Sequence, residues 1–135
     1  MTLIVWIFAL IAAALHILVF VWEALAFQRP AVHQGVFSTR TVDVPAIRLW
    51  AFGVGFYNLF LGLGALTGVL TWMGGNETVG RTLVIYTCLF MFLSGIVLLI
   101  ADRLEMGRAK GKGIGGAIGQ GIPPLIALVA VMIAA

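Results

Sequence analysis

Five polar side chains set in otherwise apolar stretches could do chemistry in this chain: His16, Glu23, Tyr57, Asn58 and Gln120. A carboxyl and an imidazole can each take or give a proton, an amide both donates and accepts hydrogen bonds, and a phenol can orient a carbonyl or hydroxyl. His16 and Glu23 stand seven residues apart, which on an α-helix puts them on one face and about 10 Å apart along the axis. That is too far for a direct hydrogen bond or a shared metal ion, so their partners are expected from other helices. Helical rise places Asn58 about 15 Å inside Arg48, near the level of His16. Gln120 is expected at the level of Glu23 or a little deeper, and Tyr57 on a face adjacent to that of Asn58. No histidine, cysteine or carboxylate set has metal-ligand spacing, so neither a metal nor a cofactor is expected. His33, between apolar stretches, is expected to be solvated or interfacial. Cys88, alone in an apolar segment, is expected to be a packing residue.

The surroundings of these residues define the class. Of 135 residues, 62% are hydrophobic and 10% charged, whereas a soluble domain carries about a quarter charged residues to keep its surface wetted. High apolar content excludes disorder, a single cysteine excludes a disulfide scaffold, and 8 Lys+Arg are too few for a nucleic-acid-binding module. An integral membrane protein remains. Charged residues divide the chain into four apolar spans, at about 2–27, 45–73, 82–101 and 115–135, forming one all-α domain over 1–135. Ala24-Leu25-Ala26 resembles a signal cleavage site, but the segment lacks a basic start, its apolar run is too long, and Glu23 precedes the cut; it is expected to remain a span.

Seven basic residues, Arg29, Arg40, Arg48, Arg103, Arg108, Lys110 and Lys112, fall in or beside the first and third loops, and only Arg81 lies opposite. The positive-inside rule then makes both basic loops cytoplasmic and both termini external, in a multi-pass protein of the cytoplasmic (inner) membrane. Trp6 and Trp72 fall near the external helix ends and Trp22 and Trp50 near the cytoplasmic ends, where amphipathic rings prefer to sit.

Apolar side chains gain little by leaving lipid for protein, so helix faces are read from small and polar residues. The rows are Ala9, Ala12, His16, Val19, Glu23 and Ala26; Ala51, Gly55, Asn58, Gly62 and Ala65; Thr87, Met91, Ser94, Leu98 and Asp102; and Gly116, Gln120, Pro123, Ala127, Ala130 and Ala134. Steps averaging about 3.5 residues describe a left-handed four-helix bundle. Gly64 and Gly68, off the main row, are candidates for the seam of a homodimer or higher homo-oligomer. Pro123 and Pro124 donate no amide proton and crowd the carbonyls of Gly119 and Gln120. A helix begun at Pro124 would cover only about 18 Å of a ~30 Å core, so the fourth span must start earlier and is expected to kink or break at Gln120–Pro124. Irregular backbone at that depth needs cover or a polar cavity.

Gly111-Lys112-Gly113-Ile114-Gly115-Gly116 fits G-x-G-x-x-G, but no strand precedes it, and it is expected to be a flexible entry to the fourth span. Arg103, Arg108, Lys110 and Lys112 are candidates for holding anionic lipid headgroups, and membrane lipids are the expected partners.

The His16-x6-Glu23 pair, Gly55-Phe56-Tyr57-Asn58-Leu59-Phe60-Leu61 in the second span and Gln120-Gly121-Ile122-Pro123 in the fourth resemble domain-of-unknown-function family 1304, a group of small four-helix integral membrane proteins. The resemblance covers essentially the whole chain. It implies fold and membrane location and carries no activity. The residues themselves point first to binding of a hydrophobic or amphipathic small molecule, such as a lipid, quinone or isoprenoid, in a polar pocket open toward the cytoplasmic side. Proton transfer between Glu23, His16 and such a ligand is chemically available there, although no motif demands an enzyme. A small oligomeric proton-coupled exporter and an assembly subunit without a ligand are the alternatives.

Overall fold

Four stretches of the chain are both long and apolar enough to cross a membrane, and in the structure, a computed structural model that describes residues 1–134, each is helical. Helix α1 (Thr2–Phe20) continues into a π-helical turn, Val21–Leu25. A short helix α2 (Pro30–His33) and a 3-10 turn (Thr41–Asp43) lead into α3 (Val44–Met73). Helices α4 (Glu77–Arg103) and α5 (Ile114–Ile133) follow. Among the described residues there is no strand. Ala135, the expected end of the fourth span, lies outside the described residues.

The third span is longer at both ends than the charged residues suggested. Asn76 caps it by accepting the Val79 amide proton at 3.2 Å, and Arg81 folds back to donate to the Val131 carbonyl at 3.3 Å. A polar side chain with a local partner does not end a helix.

The long helices pack in the ring order α1, α3, α4, α5, with α5 closing back on α1. Bare backbone sets how closely they approach. A Cβ on Gly62 would stand 2.9 Å from the Ala13 carbonyl oxygen, one on Gly68 3.0 Å from the Val84 nitrogen, and one on Gly95 2.9 Å from the Gly121 Cα. The first and last are shorter than a Cβ tolerates and the second is tighter than most Cβ contacts, so α1–α3, α3–α4 and α4–α5 each close on a glycine. Gly64 belongs to the same α3–α4 contact, where its Cβ would meet the Thr87 methyl at 3.0 Å. Gly68 is buried in that contact and Gly64 half-buried beside it, so both glycines serve packing within the chain.

At the end away from the basic loops the bundle is solid. Val5, Ala9, Val69, Trp72, Val84, Cys88, Ala127, Ala130 and Val131 form one buried cluster, with Trp6 edge-on to Trp72. Cys88 is a packing residue there. The buried face of α1, including Ala9, Ala12, His16 and Val19, is the one its small residues marked.

Helix α5 differs in two ways. It runs through Pro123 and Pro124 as one uninterrupted helix, so of the expected kink or break the break does not occur. Pro124 is fully buried and Gly121 lies against Gly95; proline is tolerated within spans where neighbouring protein covers the freed backbone groups. In its first half the buried face also turns by one residue, about 100°, so Ala117, Gly121 and Pro124 face inward in place of Gly116, Gln120 and Pro123, while Ala127 and Ala130 of the expected row are buried.

Gly95→Val forces α4 and α5 apart and should lower stability by about 1–3 kcal/mol. Gly53→Ala, whose Cβ meets nothing within 4 Å, should not. Thermal unfolding in detergent compares them, and equal melting temperatures would contradict backbone-limited packing.

Candidate functional site

The first helix loses its α-helical register just where its carboxylate sits. At Val21–Leu25 the hydrogen bonds widen, ending with the Ala26 amide donating to the Val21 carbonyl five residues back at 2.9 Å. Such π turns are rare and gather at functional sites. Gly55 admits α3 onto this turn, since a Cβ there would lie 3.0 Å from the Ala24 nitrogen and 3.1 Å from the Glu23 Cβ. Asn58 is thereby brought to Glu23: its Nδ2 donates to Glu23 Oε2 at 2.9 Å and to the Val54 carbonyl at 3.1 Å. Asn58 stands at the level of Glu23 rather than of His16, because the widened turn and the bare Gly55 draw the helices together at that height. Glu23 finds its partner on another helix, as the spacing required.

His16 does not. It is buried, and Nδ1 pairs at 2.9 Å with the Ala12 carbonyl of its own helix. A carbonyl only accepts, so Nδ1 carries the proton and, in the neutral ring, Nε2 is left as an acceptor. Among the described residues Nε2 has no protein partner.

A cavity of about 710 Å³ opens between α3 and α4 in the half of the bundle nearer the basic loops, and His16, Glu23, Tyr57, Asn58 and Gln120 all border it. The α3–α4 glycine contacts, Gly64 at Thr87 and Gly68 at Val84, bound it at its far end, and beyond them the helices part. Tyr57 and Tyr86 are mostly exposed and form the outer rim, while His16 and Glu23 line it from α1. Ser94 and Tyr86 were not singled out from sequence; their hydroxyls lie among many apolar neighbours and carry no spacing signal. Thr87 also borders the cavity, but its hydroxyl donates at 2.8 Å to the Leu83 carbonyl of its own helix.

A second cavity, of about 400 Å³, lies between α1 and α5. Arg108 and Lys112 stand on its border, and Glu23, Leu98 and Gln120 border both cavities. The inward turn of Gly121 leaves Gln120 half-buried at this junction instead of in the helix seam. Arg103 and Lys110, also candidates for headgroup contact, are exposed and border neither cavity.

Two polar residues have a structural use that the sequence did not disclose. His33 is buried, not solvated: Nδ1 bonds the Phe27 carbonyl at 3.1 Å and Nε2 the Thr41 hydroxyl at 3.0 Å, and Gln34 donates to the same hydroxyl at 2.7 Å. These bonds tie the first basic loop across its width. Asp102, fully buried, accepts the amide protons of Gly111 at 2.9 Å and Gly113 at 2.6 Å. The glycine-rich entry to α5 is therefore anchored rather than flexible, and Gly111, at a φ of +94°, occupies a conformation that only glycine adopts readily.

Asn58→Leu leaves the Glu23 carboxyl without its donor and should lower stability by about 1–3 kcal/mol, while Glu23→Leu combined with Asn58→Leu should recover much of that loss. Unfolding of both variants checks the pair. A double variant less stable than the single one would mean that the bond is not what holds Glu23.

No curated protein and no solved structure matches the chain. The model of one family, described as protein of unknown function (DUF1304), matches residues 10–132, a stretch that contains His16, Glu23, Tyr57, Asn58, Gln120 and both basic loops, and the chain belongs to that family.

Proposed function

We propose that the protein binds a hydrophobic or amphipathic small molecule, such as a lipid, quinone or isoprenoid, in the intramembrane cavity bordered by His16, Glu23, Tyr57, Asn58 and Gln120. The carrying observation is that two helices bring His16, Glu23 and Asn58 to the wall of one cavity while leaving His16 Nε2 and Glu23 Oε1 without protein donors or acceptors among the described residues. Polar groups that serve only as glue between helices satisfy one another. Here one hydrogen bond fixes Glu23, a second fixes the imidazole ring, and the remaining atoms are left for a ligand. A mostly apolar cavity with a few converging polar groups is the usual form of a small-molecule site.

The arrangement also allows proton transfer. Glu23 and His16 could act on different atoms of one bound molecule, with Asn58 holding the carboxyl in place. A proton-coupled exporter has less support, because the opposite half of the bundle is filled by the cluster around Val69 and Cys88. An assembly subunit would leave the cavity itself without a use.

The proposed setting is the cytoplasmic membrane, with both basic loops on the cytoplasmic face and the cavities opening into that leaflet. On a Cys88→Ala background, a cysteine at Asn76 should react with an impermeant thiol reagent from outside and one at Lys110 should not. Labelling of the Lys110 position from outside would reverse the orientation.

Native mass spectrometry of the purified protein tests binding. A stoichiometric bound lipid or quinone is expected, weakened by Glu23→Gln and lost in Asn58→Leu. A ligand-free spectrum for the wild type, or a ligand that both variants retain, would overturn the reading.

A further inference from the structure

Glycine within a helix costs up to about 1 kcal/mol relative to alanine, so a run of glycines needs a reason. For Gly62, Gly68 and Gly95 the reason is a neighbouring helix. Gly115 and Gly119 are different: a Cβ on either would meet nothing within 4 Å, and one on Gly116 would meet only Leu98 at an ordinary 3.5 Å. All three border the cavity between α1 and α5. What these glycines preserve is the volume of that cavity.

Its border is polarised. Arg108 and Lys112 stand at the end nearest the basic loop, Leu15, Leu18 and Trp22 provide an apolar wall on α1, and Glu23 and Gln120 form the junction with the cavity that holds His16. Asp102 spends its two oxygens on the amides of Gly111 and Gly113, which fixes the loop carrying both cations. No carboxylate comes within ion-pair distance of Arg108 or Lys112 among the described residues. Two unpaired cations held over an apolar crevice match an anionic head on an apolar tail, and they would repel a cationic one. A cavity of about 400 Å³ lies toward the small end of ligand sites, which favours one chain over the two of a phospholipid.

We propose that the crevice between α1 and α5 binds a single-chain anionic amphiphile, with its phosphate or carboxylate head at Arg108 and Lys112 and its chain along α1 toward Glu23 and Gln120. This deepens the proposed function, on which it rests, by naming the ligand class and its route to the polar cavity.

The test uses the full chain in a neutral detergent with four probes: oleoyl lysophosphatidate, oleate, monooleoylglycerol and inorganic phosphate. Lysophosphatidate and oleate should bind at least about tenfold more tightly than monooleoylglycerol, and phosphate alone should bind far more weakly than either. Arg108→Gln with Lys112→Gln should erase that preference without changing the affinity for monooleoylglycerol. Gly119→Leu, which fills the crevice and favours the helix, should abolish binding of the two anionic amphiphiles with the melting temperature unchanged or raised. Equal affinity for charged and neutral chains, phosphate binding as tight as lysophosphatidate, or unchanged binding in Gly119→Leu would each overturn the proposal. So would a Gly119→Leu variant that only dissociates a homodimer, because the crevice would then be a seam between copies. If charged and neutral chains bind alike but Asn58→Leu still removes them, the crevice falls and the intramembrane site stands.

Discussion

In a bilayer the close approach of helices cannot be driven by hiding apolar side chains from water, so it depends on how nearly two backbones can come together. That constraint shapes the whole bundle. Gly62 against Ala13, Gly68 against Val84 and Gly95 against Gly121 bring successive helices to backbone contact. At the end remote from the basic loops, where Gly68 meets Val84, the interior is a buried cluster of valine, alanine, tryptophan and cysteine, while nearer the basic loops Gly95 against Gly121 and Gly55 against Ala24 still hold α4 to α5 and α3 to α1. Where such contacts lapse, between α3 and α4 and between α1 and α5 nearer the basic loops, the helices part and two cavities open. Closed and parted helix pairs are thus two outcomes of one packing rule.

Polar groups divide along the same line. Thr87 bonds to its own helix, His33 ties the first loop, and Asp102 ties the entry to α5. These are satisfied within the protein, as groups withdrawn from water must be. The residues around the α3–α4 cavity are satisfied only in part. Asn58 uses both amide protons, on Glu23 and on Val54, and His16 uses one ring nitrogen. The difference separates structural polarity from polarity that faces a space.

Much of this was legible in the sequence, and the parts that were not share a cause. The four spans, the buried row on α1 and the five residues around the cavity follow from composition and helical spacing, which are local. The π turn at Val21–Leu25 is not local, because it accompanies the approach of Gly55 on a different helix. Nor is the one-residue turn of α5, where burial of Gly121 and Pro124 against α4 overrides the row containing Gln120. His33 looked solvated because it lies between spans, and only the folded loop brings Phe27 and Thr41 to its two nitrogens. Asp102 was placed in the row of its helix, but its partners are amides nine and eleven residues further along, reached only after the chain turns back.

The anchoring of that turn bears on the cavities as much as on the fold. A basic loop left to solvent would hold its cations at no fixed place, and charge would gather near the membrane without selecting anything. Asp102 lies buried at the end of α4 and takes hold of Gly111 and Gly113, one residue to either side of Lys112. The position of Lys112 is thereby tied to the same point from which α5 departs, and Arg108 lies over Gly113, where its guanidinium occupies the space a Cβ would need. Charge, helix start and crevice border are set by one carboxylate. A buried acid near the basic surface of a membrane helix would ordinarily be read as a partner for the cations around it; here its hydrogen bonds go to backbone, which fixes the loop in space, while its charge acts on Arg103 and Arg108 without forming an ion pair.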